Sequence, residues 1–416
     1  MDLVKDLKER GLVEHTSAPL EKIFEKKRIV YFGVDPSSDS MQAGNLSGIL
    51  LAKRIADAGH KIILLVGGGT GMIGDPREKG ERQLQDIKVI EKNKKAIRAQ
   101  MQTIIGSRVT LVDNADWLLK IRLFEFLRDT GKYFTVNELV KRDIIKRRLE
   151  TPDESISYTE FTYALLQAYD FMTLFEKYGC EVQFGGTDQW TNLISGVDLI
   201  HKKLAKDAYA FTNPLVTDAN GKKFGKSEGN AVWLDPNKTS PFAFYQFWLN
   251  QPDEEVGKLL KFYTFMSVLE IDALVELHSR NPGRREAQRL LARHVTESVH
   301  GKSAAANAAA VSDVLFASRN LTDLSPAEQS TLLKEAPSVR ISKASIEAGY
   351  SVVDALLEGS LATSKTDARR LIEGKGVYLN DEVVEHTDAL VTAFHFFNNL
   401  ALLRRGKQVL VLTIEK

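Results

Sequence analysis

The stretch "RIVYFGVDPSSDSMQAGNLSGILLAKRIADAGHKIILLVGGG", residues 28–69, decides the fold. "RIVYFGV" and "KIILLVGGG" are apolar runs of the kind buried in a parallel sheet. Between them Leu46, Ile49, Leu50 and Ile55 fall near one side of a helix, and Gly59 suits its C-terminal cap. This is a βαβ unit. A later segment repeats the logic: "CEVQFGG", residues 180–186, is an apolar strand ending in glycines, and "DQWTNLISGVDLIHKKLA", residues 188–205, is a periodic helix with a basic end. Ligands of open parallel sheets bind beyond the carboxyl ends of strands, so the loops after Val34, Val66 and Phe184 are where chemistry is expected.

The rest of the chain is consistent with several domains, as 416 residues exceed one core of ordinary size. Residues from about 115 to 175 read as mostly helical, an insertion between two halves of a nucleotide-binding fold. After "WLDPNKTSP" the texture changes to helices such as "FAFYQFWLN" and "REAQRLLARHVTESVH", with no further parallel-strand signal. The segment "SRNLTDLSPAEQSTLLKEAPSVRIS" reads as a connector, and from about 345 a small α+β module begins. The expected boundaries are a catalytic domain over 1–235 with its insertion at about 115–160, a helical domain over 236–325, a linker over 326–344 and a C-terminal module over 345–416.

Composition narrows the setting. Lys+Arg 56 against Asp+Glu 55 neither demands nor excludes nucleic acid, because a basic face can hide in a balanced total. A single cysteine, Cys180, rules out an internal disulfide framework, and the 8 His lack the close Cys/His spacings of a zinc site. The charged N-terminus lacks a signal-peptide core, and no run approaches the roughly 20 apolar residues that span a bilayer. A cytoplasmic protein with no membrane segment is expected.

Two stretches carry chemistry. In "GVDPSSDSMQAGNL", Pro36 turns the chain at a strand end, Gly44 offers bare backbone, and the helix N–H groups near Asn45 point at any anion. Taken alone it is more often just a turn. In "GKKFGKSEGN", residues 221–230, three lysines sit among three glycines, which suits a loop that closes over phosphates. Taken alone it is more often a solvated basic loop. A third feature is a helical face: Tyr163, Gln167 and Asp170 stand at i, i+4 and i+7.

A "QAGN" slot followed some 180 residues later by "KFGKS" resembles the paired signatures of class I aminoacyl-tRNA synthetases. With "YFGVDPSSDS", "GGGTGMIGDP", "ISYTEFTYALLQAYDF" and "VQFGGTDQWTN" in order, the chain resembles the tyrosyl-tRNA synthetase family of bacterial type over nearly its full length. "SPFAFYQFWLN" and "SLATSKTDARRLIEGKGVYLN" resemble that family's later domains. The resemblance implies an α/β fold: a Rossmann-like parallel-sheet catalytic domain with a helical insertion, then an α-helical anticodon-binding domain and a small α+β RNA-binding domain. It implies a tyrosine–tRNA ligase that forms tyrosyl-adenylate and pyrophosphate from L-tyrosine and ATP, then charges the terminal adenosine of tRNA(Tyr).

By resemblance, Tyr31 and Asp170 hydrogen-bond the substrate hydroxyl. Leaving them unpaired is what penalises phenylalanine, a discrimination for which the tyrosine enzymes are the standard example. Asp75, Tyr163 and Gln167 meet the ammonium, Gln189 lies near the carboxylate, and Asp35 contacts the amino acid or the nucleotide. Gly33, Gly44 and Gly186 give ATP close backbone approach, with Asn45 and Lys226 as further ATP contacts. Asp188 accepts from the ribose, although such an Asp alone is more often a helix cap. Lys223, Lys226, Ser227, Ser37, Gln42 and Asn45 stabilise the departing phosphates, with Lys79 and Arg82 as additional candidates that equally suit a solvated charge cluster. Lys365, Arg369 and Arg370 bind RNA. The basic run "KRDIIKRR", residues 141–148, is either a solvated face or a contact to acceptor-stem phosphates. ATP arrives as substrate with Mg²⁺, without zinc or an organic prosthetic group, and a homodimer is implied. The family most often has histidine where Gln42 and Asn45 stand. Tryptophanyl-tRNA synthetase and a catalytically dead RNA-binding paralogue are the competing readings.

Overall fold

The computed structural model describes residues 2–76, 80, 85–106, 109–217, 224, 226–227, 230–316 and 319–415, and for residues 143, 226, 227 and 230 the backbone alone. The chain forms two compact units, one comprising residues up to Thr239 together with Gln251–Ala287, the other Ser240–Asn250 with Gln288–Lys416.

The first unit begins with helices α1 (Leu3–Arg10) and α2 (Leu20–Ile23), strand β1 (Ile29–Val34), helix α3 (Ala43–Asp57) and strand β2 (Lys61–Val66). Helix α4 (Ile87–Ile105) leads to β3 (Val109–Val112), and the insertion follows as α5 (Ala115–Leu118), α6 (Leu123–Asp129), α7 (Val136–Leu139) and α8 (Asp143–Glu150). Then come α9 (Tyr158–Tyr178), β4 (Cys180–Gly186), α10 (Trp190–Leu204), β5 (Tyr209–Asn213) and a short ribbon of β6 (Lys226–Ser227) with β7 (Asn230–Ala231). After α11 (Pro241–Leu249), which belongs to the second unit, α12 (Asp253–Tyr263) and α13 (Val268–Arg280) return to the first.

The five strands pair in the order β3-β2-β1-β4-β5, all parallel. β1 is central, with β2 reached on one side and β4 on the other, so the crevice where strand order reverses lies at the carboxyl ends of β1 and β4. Helices cover both faces because alternate residues of each strand are apolar in both directions. Tyr31 faces α9 and packs in a cluster with Phe171, Trp117 and Leu199. Phe32 points the other way and stacks on Phe184, which stacks on Phe211, with ring centroids 4.8 and 5.2 Å apart across three adjacent strands. Each such buried ring contributes about 1.5–3 kcal/mol. The long helix α9 is fixed at both ends: Ser157 accepts from the Glu160 N–H, and Gly179 closes it in the left-handed conformation at φ 68°.

In the second unit α11 packs against α15 (Lys302–Phe316), reached through α14 (Glu286–His300), and α16 (Pro326–Glu335) packs on α15. The C-terminal sheet has the order β10-β9-β11-β12-β8, from β8 (Ser338–Ile341), β9 (Val377–Leu379), β10 (Glu382–Val383), β11 (Leu400–Arg405) and β12 (Gln408–Ile414). Helices α17 (Lys343–Glu347), α18 (Val352–Glu358) and α19 (Lys365–Glu373) accompany it, and Val352, Leu356, Ala368, Ile372 and Leu403 share its core. The stretch 326–344, read as a connector, is instead ordered structure. Ser325 and Glu328 form a reciprocal capping box, Pro326 takes the first helical position, and β8 pairs in parallel with β12. Among the described residues no helix is long and apolar enough to cross a membrane.

Candidate active site

A cavity of about 340 Å³ opens at the carboxyl ends of β1 and β4, beside the amino end of α3. Its lining brings together Tyr31, Gly33, Asp35, Ser37, Gln42, Gly44, Asn45, Asp75, Tyr163, Gln167, Asp170, Gly186, Asp188 and Gln189, drawn from five separate stretches of sequence.

One end is deep and built around Asp170. Its two oxygens accept from Trp117 Nε1 at 2.7 Å and Asn114 Nδ2 at 2.8 Å. Burial pushes its carboxyl up to about 8 even with those two donors opposing the shift. Tyr31 is buried nearby, and burial with the charges of Asp170 and Asp35 holds its phenol well above the usual range, so it remains a neutral O–H. A Cβ at position 33 would stand 2.6 Å from the Tyr31 hydroxyl, so only glycine lets β1 end against that ring.

The other end concentrates carboxylates. Asp35 accepts from Thr70 Oγ1 at 2.7 Å and from the Tyr163 hydroxyl at 2.8 Å. Asp75 accepts from Gln189 Nε2 at 2.6 Å and Asn192 Nδ2 at 3.2 Å. Burial, then the neighbouring charges of Asp35 and Asp188, push Asp75 up to about 6. Gln167 Oε1 is buried without a hydrogen-bond partner among the described residues. An orphan acceptor lining the same cavity as two carboxylates makes a place for a cation with several N–H donors. Asn114 joins the two ends: its Oδ1 accepts from the Gly69 amide at 2.8 Å, and its Nδ2 reaches both Thr70 and Asp170.

The loop from Asp39 to Gly44 is held by its neighbours. Ala43 N–H donates to Val232 O and Leu234 N–H to Met41 O, each at 2.9 Å, and Asp39 pairs with Lys238. Position 44 must be glycine, since a Cβ there would fall 2.6 Å from the Phe224 carbonyl oxygen. Asn45 Oδ1 accepts from the Gln42 N–H at 3.1 Å. Gly186 ends β4 and Asp188 sits on the turn that follows, with Asp188 exposed. Lys226 and Ser227 are placed by backbone only, on β6, while Lys223, Lys79 and Arg82 lie outside the described residues.

Lys365, Arg369 and Arg370 are in the second unit, exposed on α19; Lys365 pairs with Asp354 and Arg370 with Asp367. The basic run 141–148 is not one solvated face. Arg142 is 9% exposed and Arg148 2%, with Arg148 paired to the buried Glu160 at 2.8 Å, so neither is available to a phosphate backbone.

The family described as "tRNA synthetases class I (W and Y)" matches residues 24–317, and the "Tyrosine--tRNA ligase SYY-like C-terminal domain" matches residues 328–413. A tyrosine–tRNA ligase of Roseiflexus castenholzii is 44% identical over 387 residues, 91% of each chain, and that of Leuconostoc citreum 43% identical over 98% of each. The chain belongs to the tyrosine–tRNA ligase family. This ligase is thus a class I aminoacyl-tRNA synthetase whose substrates are tyrosine and tRNA. Among solved structures, a C-terminally truncated mitochondrial tyrosyl-tRNA synthetase of Aspergillus nidulans is similar at TM-score 0.66 and 34% identity, covering 74% of this chain and 92% of that one. A tryptophanyl-tRNA synthetase of Encephalitozoon cuniculi, 14% identical at TM-score 0.53, shares the fold alone.

Sequence reasoning missed Thr70, Asn114, Trp117 and Asn192 of the ligase. Asn114 and Trp117 follow β3, a four-residue strand with one fully buried position, too weak a pattern to draw attention to the loop at its carboxyl end. Asn192 lies on the quoted helix but reads there as an ordinary polar residue.

Proposed function

We propose that the cavity binds L-tyrosine with its phenol at Asp170 and Tyr31 and its ammonium among Asp75, Tyr163 and Gln167. The observation that carries this is Gln167 Oε1, buried and without a hydrogen-bond partner among the described residues, in one cavity with the Asp35 and Asp75 carboxylates and with a Tyr31 and Asp170 pair suited to a phenol. Gln189 then stands by the substrate carboxylate and Asp35 orders Tyr163. ATP lies over Gly33, Gly44 and Gly186 with its ribose toward Asp188.

The substrate carboxylate is already an adequate nucleophile, so no general base is needed. It attacks the α-phosphorus in line and pyrophosphate departs, and catalysis is mostly positioning and stabilisation of charge on the leaving phosphates. Ser37, Gln42, Asn45 and the α3 amino end are the donors on one side, with Lys223, Lys226 and Ser227 from the lysine loop. Mg²⁺ comes in with ATP. A terminal ribose hydroxyl of tRNA then takes the tyrosyl group.

The helical segment 236–325 reads as the anticodon-binding part and α19 as an RNA contact through Lys365, Arg369 and Arg370. A homodimer is favoured by the apolar side chains left exposed just after α5 and on α6 and α7: Leu119, Leu123, Phe124, Leu127 and Val136. A cytoplasmic setting suits the lone buried Cys180. The test of the activation step is pyrophosphate exchange with tyrosine, tryptophan and phenylalanine in parallel. Exchange with tyrosine alone is expected; preference for tryptophan, or no exchange, would sink the reading.

A further inference from the structure

The insertion reaches the cavity through one buried cation. Arg142, at the amino end of α8, has no carboxylate within ion-pair distance among the described residues. Its Nη1 donates to Asn192 Oδ1 at 3.2 Å and its Nη2 to Ser195 Oγ at 2.5 Å. A guanidinium only donates, so the Asn192 oxygen is committed to it and the Asn192 NH₂ must face the other way. That NH₂ donates to Asp75 Oδ1 at 3.2 Å and to Gln189 Oε1 at 3.1 Å. With its oxygen engaged, Gln189 turns its own NH₂ to Asp75 Oδ2 at 2.6 Å. Ser195 is oriented too: its hydroxyl donates to Thr191 O at 2.8 Å and keeps its lone pairs for Arg142. One cation therefore sets the sense of the side-chain hydrogen bonds behind Asp75.

We propose that Arg142 is a positioning residue for the amino group of tyrosine: through Asn192 and Gln189 it holds the Asp75 carboxylate in place. The proposal rests on the reading of Asp75 as an ammonium partner. Asp75 faces Asp35, Asp188, Tyr163 and Arg142, while Arg142 faces Asp75 and Glu138. A cavity end crowded with carboxylates needs a counter-charge before the substrate ammonium arrives. A buried guanidinium held only by neutral acceptors in turn needs a carboxylate near it. Each explains the other.

The test compares L-tyrosine with 3-(4-hydroxyphenyl)propionate, the same molecule without its amino group. The full-length wild type is set beside Arg142→Met, Arg142→Lys, Asp75→Asn and Arg148→Met, a control for loss of a buried arginine on the same helix. Tyrosine KM and kcat come from pyrophosphate exchange, and the analogue's affinity from competitive inhibition. Arg142→Met is expected to raise the tyrosine KM about tenfold or more, with kcat and analogue affinity within about threefold, and to move the acid limb of KM to higher pH. Arg142→Lys recovers part of the loss, and Arg148→Met lowers the melting temperature without changing the tyrosine-to-analogue ratio. Equal loss for both compounds in Arg142→Met, or no loss for either, overturns the proposal. If Asp75→Asn keeps the wild-type preference for tyrosine over the analogue, the reading of Asp75 itself is wrong. If Asp75→Asn loses that preference while Arg142→Met keeps it, Arg142 alone is misassigned. Should Arg142→Met not fold, Arg142→Lys carries the same comparison, with a rise in KM confined to tyrosine.

Discussion

Asn45 turns its side-chain oxygen back to the Gln42 amide, 3.1 Å away, so its NH₂ is the end left for a ligand in the cavity it lines. The two amides in "QAGN" thus form a donor site without an imidazole. Asn45→Asp keeps the acceptor for the Gln42 N–H but replaces the donor with a negative charge. It should lower the activation rate by about 10²-fold or more, the usual cost of removing one preorganised donor, with little change in tyrosine KM. Single-turnover formation of tyrosyl-adenylate measures this. Because Gln42 and Asn45 are neutral, the wild-type rate should lack the acid-side titration that an imidazolium at either position would give.

Asp75 gives the cavity a different pH dependence. Its folded-state carboxyl is raised to about 6 by burial and by Asp35 and Asp188, so it takes up a proton as pH falls through that value. Protonation removes the charge that, in the proposed binding mode, attracts the ammonium. Tyrosine KM should therefore rise below about pH 6 while kcat changes less, as read from exchange assays between pH 5 and 8. The linkage to stability has the opposite sense. A carboxyl whose folded pKa is raised makes stability fall as pH rises from its unfolded value toward 6, so the melting temperature of Asp75→Asn relative to wild type should rise between pH 4 and pH 8, whatever the substitution costs in hydrogen bonds.

Trp117 and Asp170 form a second pair whose removal has a specific signature. Trp117→Phe keeps an aromatic ring in the core, though a smaller one, and withdraws the indole N–H from Asp170 Oδ1. An unsatisfied buried carboxylate oxygen costs about 1–3 kcal/mol. The expected result is a rise in tyrosine KM of about tenfold and a narrower preference over phenylalanine, because Asp170 is no longer held against the phenol. A parallel rise in KM for both amino acids would point to simple loss of packing.

The sequence makes some of these residues legible and hides others for physical reasons. The strong apolar runs of β1, β2 and β4, and the polar triplet Tyr163, Gln167 and Asp170 on one helical face, carry their own periodicity. Asn114 and Thr70 do not: their roles come from hydrogen bonds to residues 35 to 56 positions away, which no local pattern encodes. Arg142 shows the reverse hazard. Within "KRDIIKRR" it reads as one more surface cation, and only the packing of the insertion against α10 reveals it as buried. Helix α16 was readable from its Ser-Pro-x-Glu start, but its sparse apolar face, with Leu332 alone buried, masked that signal.

The exposed apolar side chains of the insertion yield the last prediction. Phe124 is 84% exposed and Leu123 67%, both on α6, with Leu119 exposed just after α5 and Val136 on α7. Large apolar side chains grouped this way mark an association face rather than scattered surface residues. A charge at the centre of such a face is costly to bury without a partner, so Phe124→Glu should shift the protein from dimer to monomer in sedimentation velocity. Phe394, 94% exposed in the C-terminal module, is the control: Phe394→Glu should leave the oligomeric state unchanged. A dimer that survives Phe124→Glu at micromolar concentration would locate the association face elsewhere.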